Sequence, residues 1–127
     1  MAIRTEISLK LQNSPGALGR VCEHLADERV NILGLNLETG GTLRLVVDNP
    51  LHAVGILEEQ RYAVDQCEVL FIQLPNDPGA LEKTVGLLAN AGVNLNYIYG
   101  VTLEDDPMAA LVVGVEDAQR ASMSAGV

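Results

Sequence analysis

A chain of 127 residues has room for one ordinary domain or two very small ones sharing a core, and 48% hydrophobic against 20% charged residues gives it the material to fold. Its 17 acidic against 8 basic residues leave a formal charge of -9, a surface that repels phosphate backbones and anionic lipid and argues against nucleic-acid and membrane partners. No uninterrupted apolar run approaches the roughly 18 residues of a spanning helix, and MAIRTEISLK lacks the apolar stretch of a signal peptide, so a cytoplasmic location is expected.

Ile7, Leu9 and Leu11 alternate with Glu6, Ser8 and Lys10, the pattern of a strand with one buried and one solvated face. A helix follows, with Ser14 as its expected N-cap and Pro15 at its first position. Leu18, Val21, Cys22, Leu25 and Ala26 fall on one face of it. Ile32 to Thr39 and Thr42 to Asp48 read as strands joined by a tight hairpin at Gly40-Gly41. Asp48-Asn49-Pro50 then opens a second helix to about Glu59, with Val54 and Leu57 on its buried side, and Ala63 to Cys67 can supply a closing strand. This β-α-β-β-α-β order is that of an α+β, ferredoxin-like sandwich, with helices on one face of an antiparallel sheet.

The phrase NSPGAL at residues 13–18 returns as NDPGAL at 76–81, and sliding the chain by that same interval aligns Leu11 with Leu74, Leu25 with Leu88 and Val30-Asn31 with Val93-Asn94. The chain is a tandem repeat, divided as 1–67 and 68–127. The second copy predicts a strand from Glu68 to Leu74, a helix from Pro78 to Ala91 closed by Gly92, and strands near Asn94 to Thr102 and Met108 to Val115. It carries a longer acidic loop, LEDDPM, in place of Gly40-Gly41. It is also truncated: EDAQRASMSAGV suffices for a short helix but not for a closing strand as well. The sheet edge beside Glu68 to Leu74 is therefore expected to pair with another chain or be capped by the C-terminal tail, with Val69 and Phe71 needing an apolar cover.

Each Pro-Gly pair stands between a strand end and a helix start, where N–H groups are unsatisfied and a carboxylate is favoured. Gly16 and Gly79 allow close approach to the backbone. The amides of Asn13 and Asn76, and of Asn31 and Asn94 after each first helix, can meet either end of a zwitterion. Leu18 and Leu81 are either pocket wall or core, and Tyr97 and Tyr99 either line a cleft or are ordinary sheet residues. Asn, Ser, Asp, Pro and Gly are also what any strand-to-helix turn prefers, so a turn and a site remain two readings of one motif.

Catalytic signatures are missing: there is no Gly-rich phosphate loop, HExxH or G-x-S-x-G motif. Cys22 and Cys67 read as buried or half-buried free thiols, and His24 and His52 as solvated helix residues without metal-ligand spacing, so no catalytic residue, metal or cofactor is expected.

N-x-P-G-A-L, an amphipathic helix and then V-N-I or V-N-L, present twice in register, resembles the ACT domain, a small-molecule-sensing module of amino-acid metabolism. Nearly the whole chain is covered, in the manner of stand-alone tandem ACT proteins. The resemblance implies side-by-side pairing of modules, a homo-oligomer expected to be a dimer, and amino-acid sites at interfaces between modules. One site would use Asn13, Ser14, Pro15, Gly16, Ala17 and Leu18 with Asn94. The other would use Asn76, Asp77, Pro78, Gly79, Ala80 and Leu81 with Asn31, and the modules would pair either within one chain or between chains. Asp77 disfavours a carboxylate where Ser14 does not, so unequal affinities are expected. The expected function is a non-enzymatic amino-acid sensor that regulates a partner protein. The alternatives are a pure interaction module without ligand and a small enzyme on a ferredoxin-like frame.

Overall fold

The computed structural model describes residues 2–127. They form two compact units, one of Thr5–Cys67 and one of Ala2–Arg4 with Glu68–Val127.

The first unit takes most of β1 (Ile3–Lys10), then α1 (Ala17–Asp27), β2 (Ile32–Leu37), β3 (Thr42–Val47), α2 (Pro50–Glu59) and the opening residues of β4 (Val64–Pro75), with strand order β2-β3-β1-β4. Pairing of β3 with β1 and with β2 is antiparallel: Leu9 faces Leu43 and Leu35 faces Leu45. One sheet face gives Ile7, Leu9, Leu43, Leu45 and Val47 to a core closed by Val21 and Leu25 of α1 and by Ala53, Val54, Ile56 and Leu57 of α2. This is the helix-on-one-face sandwich that the periodicities require. Asn49 caps α2, its side chain accepting from the N–H of His52 at 3.2 Å.

The other face departs from the sequence reading. Glu6 is fully buried rather than solvated. Its cross-strand neighbour is Val46, and Arg44, two residues along β3 on the same face, sends Nη1 to its carboxylate at 3.3 Å while Nε reaches Glu38 at 2.9 Å. Cys67 also brings its thiol within 3.9 Å of the carboxylate. Buried carboxylates persist where charge-assisted bonds replace water, and Arg44 supplies one. Cys67 is exposed rather than half buried, while Cys22 is half buried as expected; both are free thiols. His24 is half buried, edge-on to Tyr62 at 6.4 Å between ring centroids, and only His52 is exposed.

The second unit takes the rest of β4, then α3 (Ala80–Asn90), β5 (Tyr97–Val101), β6 (Met108–Gly114) and α4 (Ala118–Ala125). Antiparallel pairing sets Leu70 opposite Val113 and Tyr99 opposite Val112. Leu70, Ile72 and Val113 meet Leu88 of α3 and Ala118 and Ala121 of α4, with Ile3 packed beside them. The expected closing strand of the first copy and first strand of the second are one continuous strand, β4, because no Gly, Pro or Asn interrupts 64–74.

The edge beside Phe71 is covered not by the C-terminal tail but by the start of β1. Phe71 donates its N–H to the carbonyl of Ala2 at 2.7 Å, so the chain's own first residues close the sheet while α4 packs on the core. Val69 is fully buried and Phe71 half buried, with the Arg4 guanidinium 5.0 Å above its ring.

Both first helices end alike. Gly92 adopts φ 72°, and Gly92 and Val93 donate to the carbonyls of Ala89 and Leu88. In the first copy Arg29 holds the equivalent left-handed position at φ 59°, and Arg29 and Val30 donate to Ala26 and Leu25. The hydrogen bonds repeat although the residue that most easily adopts them does not.

On the helix-free side of the second unit, Tyr97 and Tyr99 stack with an interplanar angle of 13°, and the Tyr97 ring lies directly over Gly114. A Cβ at Gly114 would fall 2.2 Å from that ring, whereas one at Gly55, exposed in mid-α2, would meet nothing within 4 Å. Gly114→Ala should therefore destabilise the protein by about 1–3 kcal/mol through overpacking. Gly55→Ala should stabilise it by roughly 0.8 kcal/mol through helix propensity. Urea unfolding of both variants checks the pair of signs.

Candidate functional site

The two repeated turns have nearly the same backbone. Gly16 has φ 84° and ψ -5°, and Gly79 has φ 86° and ψ -10°, left-handed values that cost a residue with a Cβ about 1–2 kcal/mol. These glycines, not Ser14 or Pro15, are the N-caps. The helices start at Ala17 and Ala80, later than the sequence suggests, because the N–H of Ala17 closes a turn on Ser14 O at 3.3 Å and that of Ala80 on Asp77 O at 3.1 Å.

No side chain caps either helix. Arg20 and Lys83 are the first residues to bond back, to Gly16 O and Gly79 O. The N–H groups of Leu18 and Gly19, and of Leu81 and Glu82, donate to no backbone carbonyl among the described residues. Those donors are what an external carboxylate can accept from.

The flanks differ. Asn13, Ser14, Pro15 and Gly16 are exposed, Ala17 is buried, and Leu18 packs half buried on the first core. Leu11 ties this turn to the short hairpin through its N–H to Gly41 O at 2.8 Å. Gly41 is required there: it sits at φ 92°, and a Cβ would come 2.7 Å from Leu11 O.

In the second copy the acidic loop replaces that hairpin and Asn76 fastens it. Its Nδ2 donates to the carbonyls of Leu103 at 3.1 Å and Asp106 at 2.7 Å, and its N–H to Pro107 O at 3.0 Å. Asp77, Pro78 and Gly79 are exposed, Ala80 is half buried, and Leu81 is 52% exposed, so Leu81 does not share the core position of Leu18.

Asn31 is exposed and directly precedes β2; its N–H donates to Asp48 Oδ1 at 3.0 Å and its carbonyl accepts from Asp48 N–H at 3.0 Å. Asn94 is exposed but lies outside any strand, because β5 begins only at Tyr97 after Asn96 N–H bonds to Gly114 O. The first turn and Asn31 belong to the first unit, and the second turn and Asn94 to the second.

Sequence reading overlooked Arg20. Its Nη1 lies 3.6 Å from where a Cβ of Gly16 would be, placing a guanidinium beside the open helix start. Its signal was present in the repeat, since Lys83 holds the same place in the second copy. The first turn of α1 contains no acid, whereas that of α3 contains Glu82, with Asp77 just before it. The first start therefore favours a carboxylate more than the second does. Among the described residues no three His, Cys, Asp or Glu side chains stand where they could hold a metal ion, and no helix is long and apolar enough to cross a membrane.

The repeated turn, the doubled β-α-β-β-α order and the two one-sided cores together define a pair of ACT modules. The sequence matches the ACT domain pair family over residues 1–124, and the chain belongs to that family. No curated protein matches the chain. Among solved structures, a protein of Bacteroides thetaiotaomicron is similar at 30% identity and TM-score 0.88, covering 97% of this chain and 86% of that one. The ligand-free regulatory subunit of aspartate kinase from Thermus thermophilus is similar in fold at 16% identity and TM-score 0.70, covering 99% and 91%. That from Thermus flavus is similar at 14% and 0.66, covering 99% and 95%.

Asn76→Ala should loosen the acidic loop by about 1 kcal/mol, the worth of a typical hydrogen bond, and speed exchange of the Asp106 amide roughly fivefold. Asn13→Ala should leave exchange at the 38–41 hairpin unchanged. Hydrogen exchange read by NMR distinguishes the two.

Proposed function

We infer that the protein is a non-catalytic sensor that binds a free amino acid at the first turn and regulates a partner protein through the bound state. The observation that carries this reading is the helix start at Gly16, where the N–H groups of Leu18 and Gly19 and the guanidinium of Arg20 converge without an acid in the first helical turn. There the ligand carboxylate is held, while Asn13 and an Asn94 from a neighbouring module bond its ammonium group. The second turn, with Asn76, Asp77, Pro78, Gly79, Ala80 and Leu81 beside an Asn31, is the weaker site, since the amide donors of Asn76 already hold the loop. Regulation requires the amino acid to favour one arrangement over another, and the difference in affinity sets how far the equilibrium moves.

Self-association belongs to the same reading. Strand β2 is the outermost of its sheet and leaves Leu33, Leu35 and Leu37 more than 40% exposed, an apolar edge of the kind that pairs with a second copy. A homodimer formed there would extend the sheet.

A thermal-shift screen of the common amino acids should find one that stabilises the protein, by about 2.7 kcal/mol at a hundredfold excess over Kd. Calorimetry with that ligand should show roughly tenfold weaker binding for Arg20→Gln, the loss of one charge-assisted contact, and little change for Lys83→Gln. Stabilisation by none of them would favour the interaction module without ligand.

A further inference from the structure

Outside the turns, the second unit holds a cleft of about 490 Å³ lined by Ala2, Ile3, Arg4, Phe71 and Gln73. We propose that this cleft binds a small carboxylic acid with an apolar or aromatic body, its carboxylate on Arg4 and Gln73 and its body against Phe71. It is separate from the helix starts and does not depend on the sensing reading.

Several observations converge on this ligand class. The protein has more than two acids for every base, yet Arg4 has no acidic partner among the described residues. Its guanidinium instead lies 5.0 Å from the centroid of the Phe71 ring, within reach of a cation–π contact, and the Arg4 side chain is exposed. A guanidinium edge is shaped for a carboxylate. Gln73, two residues along β4 and so on the same sheet face as Phe71, adds a carboxamide that bonds to no described residue. Among the described residues the lining contains one cation and no anion, on a chain whose net charge is -9. The cleft thus accepts an anion where most of the surface would refuse one.

The repeat separates the cleft from the duplicated motif. Arg4, Phe71 and Gln73 correspond to Cys67, Ser8 and Lys10 in the other copy, so neither the aromatic ring nor the guanidinium is duplicated. Phe71 is the only phenylalanine of the chain. Holding the first residues against β4, through the bond from Phe71 N–H to Ala2 O, brings Arg4 to the ring. The same contact that closes the sheet therefore assembles the cleft.

The test is an NMR titration of the full chain with 3-phenylpropionate and, separately, its neutral amide. The acid should move the Arg4 Nε–H, the Gln73 side-chain amide and the Phe71 ring resonances, and the amide should bind at least tenfold more weakly. Arg4→Gln should weaken the acid about tenfold. Gln73→Glu, which keeps Arg4 but adds a negative charge, should abolish binding, while Arg20→Gln should leave it unchanged. Equal binding of acid and amide, shifts that avoid these three residues, or undiminished affinity in Arg4→Gln or Gln73→Glu would overturn the proposal. None of these results bears on the Leu18 and Gly19 amides, so this proposal and the sensing reading fail separately.

Discussion

A left-handed glycine between a strand and a helix is the constraint from which the rest of each copy follows. At Gly16 and Gly79 the chain reverses so abruptly that neither Ser14 nor Asp77 can cap the helix with its side chain. The first amide donors of α1 and α3 are left facing outward. A residue with a Cβ would pay strain to hold this geometry, and one that relaxed it would let the helix cap itself. Open donors and glycine conformation are therefore one feature.

Duplication preserved that backbone and let its chemistry diverge. The two glycines agree within a few degrees, and both helices end in the same pair of backwards hydrogen bonds, through Arg29 in one copy and Gly92 in the other. What changed is the loop opposite the turn. A two-glycine hairpin leaves Asn13 exposed, whereas the longer acidic loop engages Asn76 through both its side-chain amide and its backbone N–H and adds carboxylates nearby. Equal geometry thus carries unequal electrostatics, which is the physical ground for expecting unequal affinities at the two turns.

The order of elements was legible because it rests on local signals: alternation in β1, the apolar stripe of α1, Asn49-Pro50 before α2, Gly92 after α3. The repeat itself exposed the turn. What could not be read lies in contacts between residues far apart in sequence. Burial of Glu6 depends on Arg44, 38 positions away, whose guanidinium exists in the fold only because β1 and β3 pair in one register. Closure of the second sheet by Ala2 is likewise invisible until Phe71 is beside it. The late helix starts were misjudged for a different reason. Ser14-Pro15 is a good local opening, and the left-handed turn at Gly16 overrides it. At the candidate site the motif showed which backbone would be open, but not that Asn76 was already engaged or that Arg20 stood over Gly16.

Amide chemical shifts offer the most direct check on the idea that open helix starts are the recognition element. When a stabilising amino acid is added to the isotope-labelled protein, the N–H signals of Leu18 and Gly19 should move furthest, those of Leu81 and Glu82 less. A bound amino acid that left all four amides unmoved would contradict the account.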